Sequence, residues 1–349
     1  MGIKIDGRYI GVTEKPFIIA EMSGNHNHSL ERAIELVELA AKSGADAIKI
    51  QTYTPETMTL NISEGEFVVK GEKNLWANRT LYDLYSDAQT PWEWHQAIFD
   101  KGRELGITVF STPFDATAVD FLEDLNVPCY KIASFEVTDI PLIKLVASTK
   151  KPLIISTGMA SISELGEAVE VARDSGCEHL VLLKCTSSYP ATPENSNINT
   201  IPHMREMFGC EIGISDHTLG IGVSVAAVAL GATVIEKHFT INRAEGGVDS
   251  AFSMEPIEFN SLVTEAERAW QSKGVVSYGA TTAELGSLKY RRSLYFIRDL
   301  VKGATVTERD VQAIRPGLGL PPKYVDIVIG LRVSKDIKLG SPVKWDCFV

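Results

Sequence analysis

Two lysines and two histidines draw attention by where they fall. Lys49 and Lys131 each lie inside a short apolar, β-rich run, residues 46–53 and 129–134. An ammonium in such a run either snorkels to a rim or serves a site. Both have hydroxyl residues within reach of the same pattern. Lys49, Lys131, Thr112, Ser134, Ser156 and Ser215 together suit a ligand carrying phosphate and carboxylate. A Schiff-base lysine is the competing chemistry. His217 and His238 close two successive runs, residues 211–218 and 234–240. Imidazoles on neighbouring strand ends can share one metal ion, and Asp216, Glu236 and Lys237 flank them as orienting groups. Two hydrogen-bonded core histidines are the plainer alternative. Glu21 ends the first run, where it would pair with a strand lysine or act in proton transfer or cation stabilisation. Asn25-His26-Asn27 would satisfy loop backbone or line the site. Cys129 and Cys185, inside runs, are expected to pack as small apolar groups.

The elements that must position these groups follow a strand-then-helix rhythm. Eight apolar runs recur, at residues 17–22, 46–53, 108–114, 129–134, 152–158, 179–186, 211–218 and 234–240. Several are nearly continuous, as strands covered on both faces are. Amphipathic patterns lie between them. Leu30, Ile34, Val37 and Ala41 fall on one helical face behind Ser29, a capping residue. Thr90-Pro91-Trp92-Glu93 predicts a helix start with Thr90 as cap, and Ser161 with Glu164 predicts a capping box. Gly44, Gly106, Gly176 and Gly231 each precede a run and suit left-handed helix ends. Eight such units in series predict a (β/α)8 TIM barrel with its chemistry at the strand ends. A doubly wound open sheet would need a phosphate-binding glycine fingerprint after its first strand, and Glu21-Met22-Ser23-Gly24-Asn25-His26-Asn27 is not one. The long connection 54–90, with Trp76, Tyr82 and Tyr85, reads as a lid on the catalytic face or as an insertion without a role. After Ser287 short strands and turns replace the rhythm: 293–297, 303–306, 315–319, 329–333 and 340 onward. The domains are therefore expected at 1–280 and 287–349, the second small and β-rich.

Composition narrows the function classes. The 349 residues carry 34 basic and 45 acidic side chains, net charge −11, which excludes a general nucleic-acid or acidic-membrane surface. Residues 1–16 have no apolar core, so no secretory leader is expected. The apolar stretch 220–235 is too short for a membrane span. Five cysteines without CxxC spacing read as reduced thiols of a cytoplasmic protein.

Several of these stretches resemble the sialic acid synthase family. They are Phe17-Ile18-Ile19-Ala20-Glu21, Asn25-His26-Asn27, Gly44-Ala45-Asp46-Ala47-Ile48-Lys49-Ile50-Gln51-Thr52, Ser111-Thr112-Pro113-Phe114, Tyr130-Lys131-Ile132-Ala133-Ser134, Ile214-Ser215-Asp216-His217-Thr218 and Glu236-Lys237-His238-Phe239-Thr240. Ile314-Arg315-Pro316-Gly317-Leu318-Gly319-Leu320 is similar to the antifreeze-like (SAF, β-clip) domain that ends those enzymes. Glu21-Met22-Ser23 and Cys185-Thr186-Ser187-Ser188-Tyr189-Pro190-Ala191 resemble the branch acting on a diacetamido-trideoxy-altrose more than the N-acetylneuraminate branch, with the N-acetylneuraminate and legionaminate branches as the alternatives. The resemblance implies condensation of phosphoenolpyruvate with an open-chain acetamido sugar and water. It implies that Lys49, Thr112, Lys131, Ser134, Ser156, Ser187 and Ser215 hold phosphoenolpyruvate, and that Gln51, Tyr189, Asp249 and Arg315 contact the sugar. It implies a divalent cation on His217 and His238 (manganese or magnesium, with cobalt as an alternative), a catalytic Glu21, and a domain-swapped homodimer in which Arg315 reaches the partner's site. A pyruvate-dependent Schiff-base aldolase and a non-catalytic sugar-binding scaffold are the rival classes.

Overall fold

The computed structural model describes residues 2–71 and 75–349, and the chain divides into two compact units, Met1–Gly274 and Val275–Val349. In the first, a hairpin of β1 (Ile3–Ile5) and β2 (Arg8–Ile10) precedes eight parallel strands. These are β3 (Phe17–Glu21), β4 (Ala47–Thr52), β5 (Thr108–Pro113), β6 (Tyr130–Ile132), β7 (Leu153–Ser156), β8 (Leu180–Cys185), β9 (Glu211–Ser215) and β10 (Val234–His238). Each pairs with the next and β10 returns to β3, so the sheet is a closed barrel and not an open doubly wound one.

Alternation along the strands explains both the core and the site. Outward residues such as Ile18, Ile48, Ile132, Ile155, Leu182, Ile212 and Ile235 pack beneath the helices. Inward residues change character along the barrel axis. Phe17, Ile19, Ala47, Phe110, Cys129, Ile154, Val181, Leu183 and Val234 cluster with Ile3, Ile5 and Ile10 of the hairpin, which closes the lower end. Arg8 secures the hairpin by an ion pair to Asp46 and by lying 5.1 Å over the Phe17 ring. Two residues further along each strand the inward positions become Glu21, Lys49, Thr112, Lys131, Ser156, Cys185, Ser215 and Glu236, all buried. The polar strand ends thus continue the same period of two into the upper barrel.

The helices hold this cylinder. In Leu30–Lys42, capped by Ser29, the buried stripe is Ala33, Leu36, Val37 and Ala40, with Leu30, Ile34 and Ala41 at its margin. That stripe is rotated from the expected one because the small alanines face the sheet. Ser161 and Glu164 form their capping box on Ile162–Asp174. The helix expected to start with Thr90 as cap starts at Trp92 with Pro91 in the cap position, and the Thr90 hydroxyl is buried without a partner among the described residues. Gly44, Gly106, Gly176 and Gly231 have φ between 70° and 102°, as the helix ends require.

The connection 54–90 is not a bare loop. It contains helices Pro55–Met58 and Leu81–Ala88, the latter capped by Thr80, and turns Leu84 and Ala88 inward. Part of the expected lid, residues 72–74, lies outside the described residues. In the second unit β11 (Ser293–Phe296) and β12 (Val311–Ile314) form an antiparallel pair around Leu294, Phe296, Val306, Val328, Val333 and Val343. The other expected strands shrink to isolated bridges such as Thr305 with Arg332 and Val333 with Phe348. Residues 315–319 form no strand; Pro316 has no N–H for a ladder and the two glycines favour turns. Among the described residues no helix is long and apolar enough to cross a membrane.

Candidate active site

The upper barrel gathers a buried charge cluster. The ammonium of Lys49 lies 2.6 Å from Glu21 Oε2 and 3.8 Å from Glu236 Oε2, and donates to Thr112 Oγ1 at 3.1 Å. Lys131 Nζ lies 3.6 Å from Glu236 Oε1, which also accepts from Ser215 Oγ at 2.9 Å. Glu236 is therefore the hub between two ammonium groups. Their attraction outweighs its burial and holds its carboxyl at about 2. Lys49, flanked by both carboxylates, is raised against its burial, whereas burial lowers Lys131. Glu21 goes the other way: burial raises it, opposed by Lys49. Of the two carboxyls, Glu21 is the one that burial pushes toward its neutral form, although it stays paired with the Lys49 ammonium.

Hydroxyls line the side of the pit. Ser156 Oγ is buried with no partner among the described residues. Ser134 Oγ accepts from the Gly158 N–H at 3.1 Å, and a Cβ on Gly158 would overlap the hydroxyls of both Ser134 and Ser187. Only glycine lets these two hydroxyls and a backbone N–H approach one point. Ammonium groups, hydroxyls and an N–H so arranged can hold phosphate and carboxylate.

The two imidazoles meet above the pit, their ring centroids 5.4 Å apart. His217 Nδ1 is turned to the Thr186 carbonyl at 3.0 Å, which leaves Nε2 for a ligand. His238 Nδ1 has no hydrogen-bond partner among the described residues and lies 3.9 Å from Asp249 Oδ2. Burial, reinforced by His217, holds His238 well below the usual imidazole range and keeps it neutral, the form that binds metals. Among the described residues no group of three or more His, Cys, Asp or Glu side chains is arranged to hold a metal. Protein donors to a cation here would be the two histidines, with water and substrate oxygen completing its shell.

Over both lies a cavity of about 680 Å³. Gln51, Tyr189, His238 and Asp249 reach it from the barrel side, and Met58, Leu81, Leu84 and Tyr85 of the 54–90 connection form an apolar wall. Gln51 Nε2 donates to Glu21 Oε1 at 3.0 Å and lies 3.2 Å from Ser23 Oγ. The Ser23 hydroxyl in turn donates to Asp249, whose carboxyl is raised by burial. Tyr189 packs on His217 with centroids 4.4 Å apart.

Every barrel residue expected in the site thus lies at the same end of the barrel, although Ser156 Oγ meets no partner there among the described residues. Arg315 belongs to the second unit, immediately after β12. Other expectations change. Cys185 does not simply pack: its thiol lies 3.9 Å from His217 Nδ1, and that contact draws it down to about 7 against its burial. Cys129 does sit in the lower apolar cluster. Asn25 serves structure, its amide donating to the Phe239 carbonyl at 2.9 Å and to Ser253 Oγ at 2.8 Å. Two residues were missed. Ser23 lies beyond the end of β3, in a turn where its φ is positive, so strand alternation could not have placed it. Glu136 follows Ser134 into the cavity wall, where burial lifts its carboxyl to about 7. No sequence pattern marks it.

Comparison with known proteins gives the family and the fold. Residues 36–278 match the NeuB family and residues 291–349 match the SAF domain. The chain is 44% identical over 335 residues to a pseudaminic acid synthase of Campylobacter jejuni, covering 96% of this chain and 97% of that one. It is 38% identical to an N,N'-diacetyllegionaminic acid synthase of Legionella pneumophila, covering 95% and 94%. Among solved structures, an N-acetylneuraminic acid synthetase of Leptospira borgpetersenii in complex with citrate superposes with a TM-score of 0.73 at 32% identity, covering 83% of this chain and 96% of that one. A truncated 3-deoxy-D-arabino-heptulosonate 7-phosphate synthase of Thermotoga maritima, at 18% identity and a TM-score of 0.60, covering 79% and 94%, shares the fold alone. With the family match spanning most of the barrel and relatives this similar over nearly the whole length, the chain belongs to the NeuB family and ends in a SAF domain.

Proposed function

We propose that this chain is a transferase that condenses phosphoenolpyruvate with a diacetamido-trideoxy-L-altrose and water, releasing phosphate and pseudaminic acid. The observation that carries the proposal is the junction of two unlike chambers: a pit lined by two lysines and several hydroxyls opening beneath an apolar-walled cavity, with two imidazoles between them. The pit suits a small phosphate ester with a carboxylate. The cavity wall of Met58, Leu81, Leu84 and Tyr85 suits a sugar bearing a deoxy methyl and acetamido methyls. The relatives of this chain that are 41–44% identical carry the name pseudaminic acid synthase.

Lys49 and Lys131 bind the anion while Thr112, Ser134, Ser156, Ser187 and Ser215 fix its orientation. Gln51, Tyr189 and Asp249 orient the open-chain aldose so that its carbonyl carbon faces C3 of the enol ester. His217 and His238 would hold a manganese or magnesium ion, with cobalt as an alternative, which would supply Lewis-acid polarisation of the aldehyde. A carbon–carbon bond forms from C3, and C2 becomes cationic beside the Glu21 carboxyl, which stabilises it. Water adds to C2. Glu136, poised near neutrality, takes the water's proton, and the former aldehyde oxygen takes up a proton and stays on the chain as a hydroxyl. The C2–O bond to phosphate then breaks as the C2 hydroxyl becomes the carbonyl and gives its proton to the departing phosphate. Holding both substrates in place removes much of the entropic barrier.

Arg315 completes the sugar site from the partner of a domain-swapped homodimer. The exposure of Val275, Val276 and Tyr278, each 86% or more, favours a second copy as their cover. The reaction belongs in the cytoplasm, where phosphoenolpyruvate is made.

Phosphate release from phosphoenolpyruvate with a panel of acetamido sugars tests the reading. Turnover is expected to be fastest with the diacetamido-trideoxy-altrose and to stop with a chelator. Preference for N-acetylmannosamine or the legionaminate precursor would reassign the sugar. Borohydride trapping of pyruvate on Lys131, with chelator-insensitive activity, would replace the mechanism by the Schiff-base one. Phosphoenolpyruvate binding with no turnover on any sugar would leave a binding protein.

A further inference from the structure

The strand ends that carry the two imidazoles are tied together outside the barrel by a buried ion pair. Glu236 of β10 stands opposite Ser215 of β9, so the next residues, Lys237 and Asp216, face each other one step above and on the opposite side of the sheet. Both are almost fully buried. Lys237 Nζ donates to Asp216 Oδ2 at 3.0 Å and to the Thr218 carbonyl at 2.5 Å, with the Asp216 carbonyl at 3.4 Å. The Asp216 carboxylate is saturated. Oδ1 accepts from the Thr218 N–H at 2.8 Å and its hydroxyl at 2.7 Å, and Oδ2 accepts from Ser224 Oγ at 2.6 Å on the helix Gly222–Ala229. One ammonium, on the residue before His238, therefore grips both residues that flank His217.

A buried ion pair is a poor way to add stability, because desolvation cancels most of its attraction. Its strength is geometric: every donor and acceptor here has one place to go. Hydrophobic residues of the same size would fill the space without fixing the register of the two chain segments.

We propose that Asp216 and Lys237 are positioning residues that set the spacing and aim of the His217 and His238 rings, and so the affinity of that pair for a divalent cation. The inference rests on the metal reading above. It assigns neither residue any contact with substrate.

The test is Mn2+ titration of the full chain, followed by electron paramagnetic resonance and calorimetry. Wild type is compared with Lys237→Met, Asp216→Asn and the double variant Asp216→Leu with Lys237→Met. Orienting partners of metal-bound histidines are worth roughly 10–100-fold in affinity, and weakening of that size is expected in all three, with kcat regained at excess Mn2+. The double variant leaves no unpaired charge, so its thermal midpoint should stay near wild type while its Mn2+ affinity falls. Lys237→Arg should restore part of the affinity. Mn2+ affinity within twofold of wild type in Lys237→Met and in the double variant overturns the proposal, whatever happens to stability. If wild type binds no Mn2+, the metal reading fails on its own. The 15N shifts of the two imidazole rings then decide the positioning role: they must move in Lys237→Met and in the folded double variant, and unchanged shifts overturn it.

Discussion

The pit and the cavity above it are built by opposite means. The pit is made of strand residues. Glu21, Lys49, Thr112, Lys131, Ser156, Ser215 and Glu236 are inward positions of seven strands, each two residues beyond an apolar or glycine residue in the chain. Its groups are buried and fixed by the barrel ladder, and all but Ser156 are joined by ion pairs or hydrogen bonds. The cavity wall comes instead from helices and turns in a long connection, and its side chains meet the barrel only by folding back over the mouth. The difference assigns the common and the variable parts of the chemistry. A site set by backbone register suits the invariant anionic substrate, and a wall on a connection suits the substrate that changes between relatives.

The largest effect should come from the hub of the pit. Glu236→Gln leaves two buried ammonium groups without their shared counter-charge, and breaking a buried pair this way costs roughly 3–5 kcal/mol. Urea denaturation without ligands should show a loss of about that size, with no measurable phosphate release. A loss under about 1 kcal/mol would mean that the lysines find solvent and that the pit is not the closed unit described.

Lys49→Met should come next. It removes one ammonium from the anion site, so kcat/KM for phosphoenolpyruvate should fall by at least about 100-fold with every sugar tested. Equal loss across the panel is what separates pit from cavity; a change in the ranking of sugars would erase the distinction.

Leu81→Gln should do the reverse. Apolar-pocket discrimination is worth roughly 10–200-fold per methyl-sized group. Preference for the deoxy diacetamido sugar over N-acetylmannosamine should drop about tenfold, with the KM for phosphoenolpyruvate unchanged. A rise in that KM instead would place the 54–90 connection in the pit.

Glu136 lies where the two chambers join and gives the smallest, pH-dependent effect. Its carboxyl is raised from 4.5 to about 7 by burial. As a base it should give a kcat that rises with pH through about 7, a limb that Glu136→Gln removes. The same shift means that the folded chain binds more protons than the unfolded one between those values. Stability from this group is therefore present below about 4.5 and lost as pH rises through about 7. The Gln variant should lose that slope, gaining some part of roughly 3 kcal/mol at pH 8. A pH–stability curve that superposes on wild type would count against the buried carboxyl.

The strand ends were legible because a period of two survives in the letters. Apolar residues at Phe17 and Ile19 predict that Glu21 points the same way, and Ala47 predicts Lys49. The capping box at Ser161 and the glycine helix ends were legible for the same reason, since each is a local rule with one physical solution. The helix Leu81–Ala88 was not legible. Its short amphipathic pattern, rich in aspartate and tyrosine, is too brief to stand apart from loop composition, and packing over the mouth stabilises it. In the second unit the run 293–297 was legible as a strand and pairs with β12, whereas the other short runs alternate like strands but find partners only in isolated bridges.

By itself the sequence determined the closed eightfold barrel, the identity of its inward polar groups and the family resemblance, because register and helix ends are set by neighbours along the chain. Tertiary structure alone decided that Glu236 bridges both lysines, that Cys185 touches His217, that Glu136 reaches the cavity, and that Lys237 grips both sides of His217. The last three of those contacts join residues 19 to 32 positions apart, or a side chain to an enclosed space, and such distances become contacts only when the barrel closes.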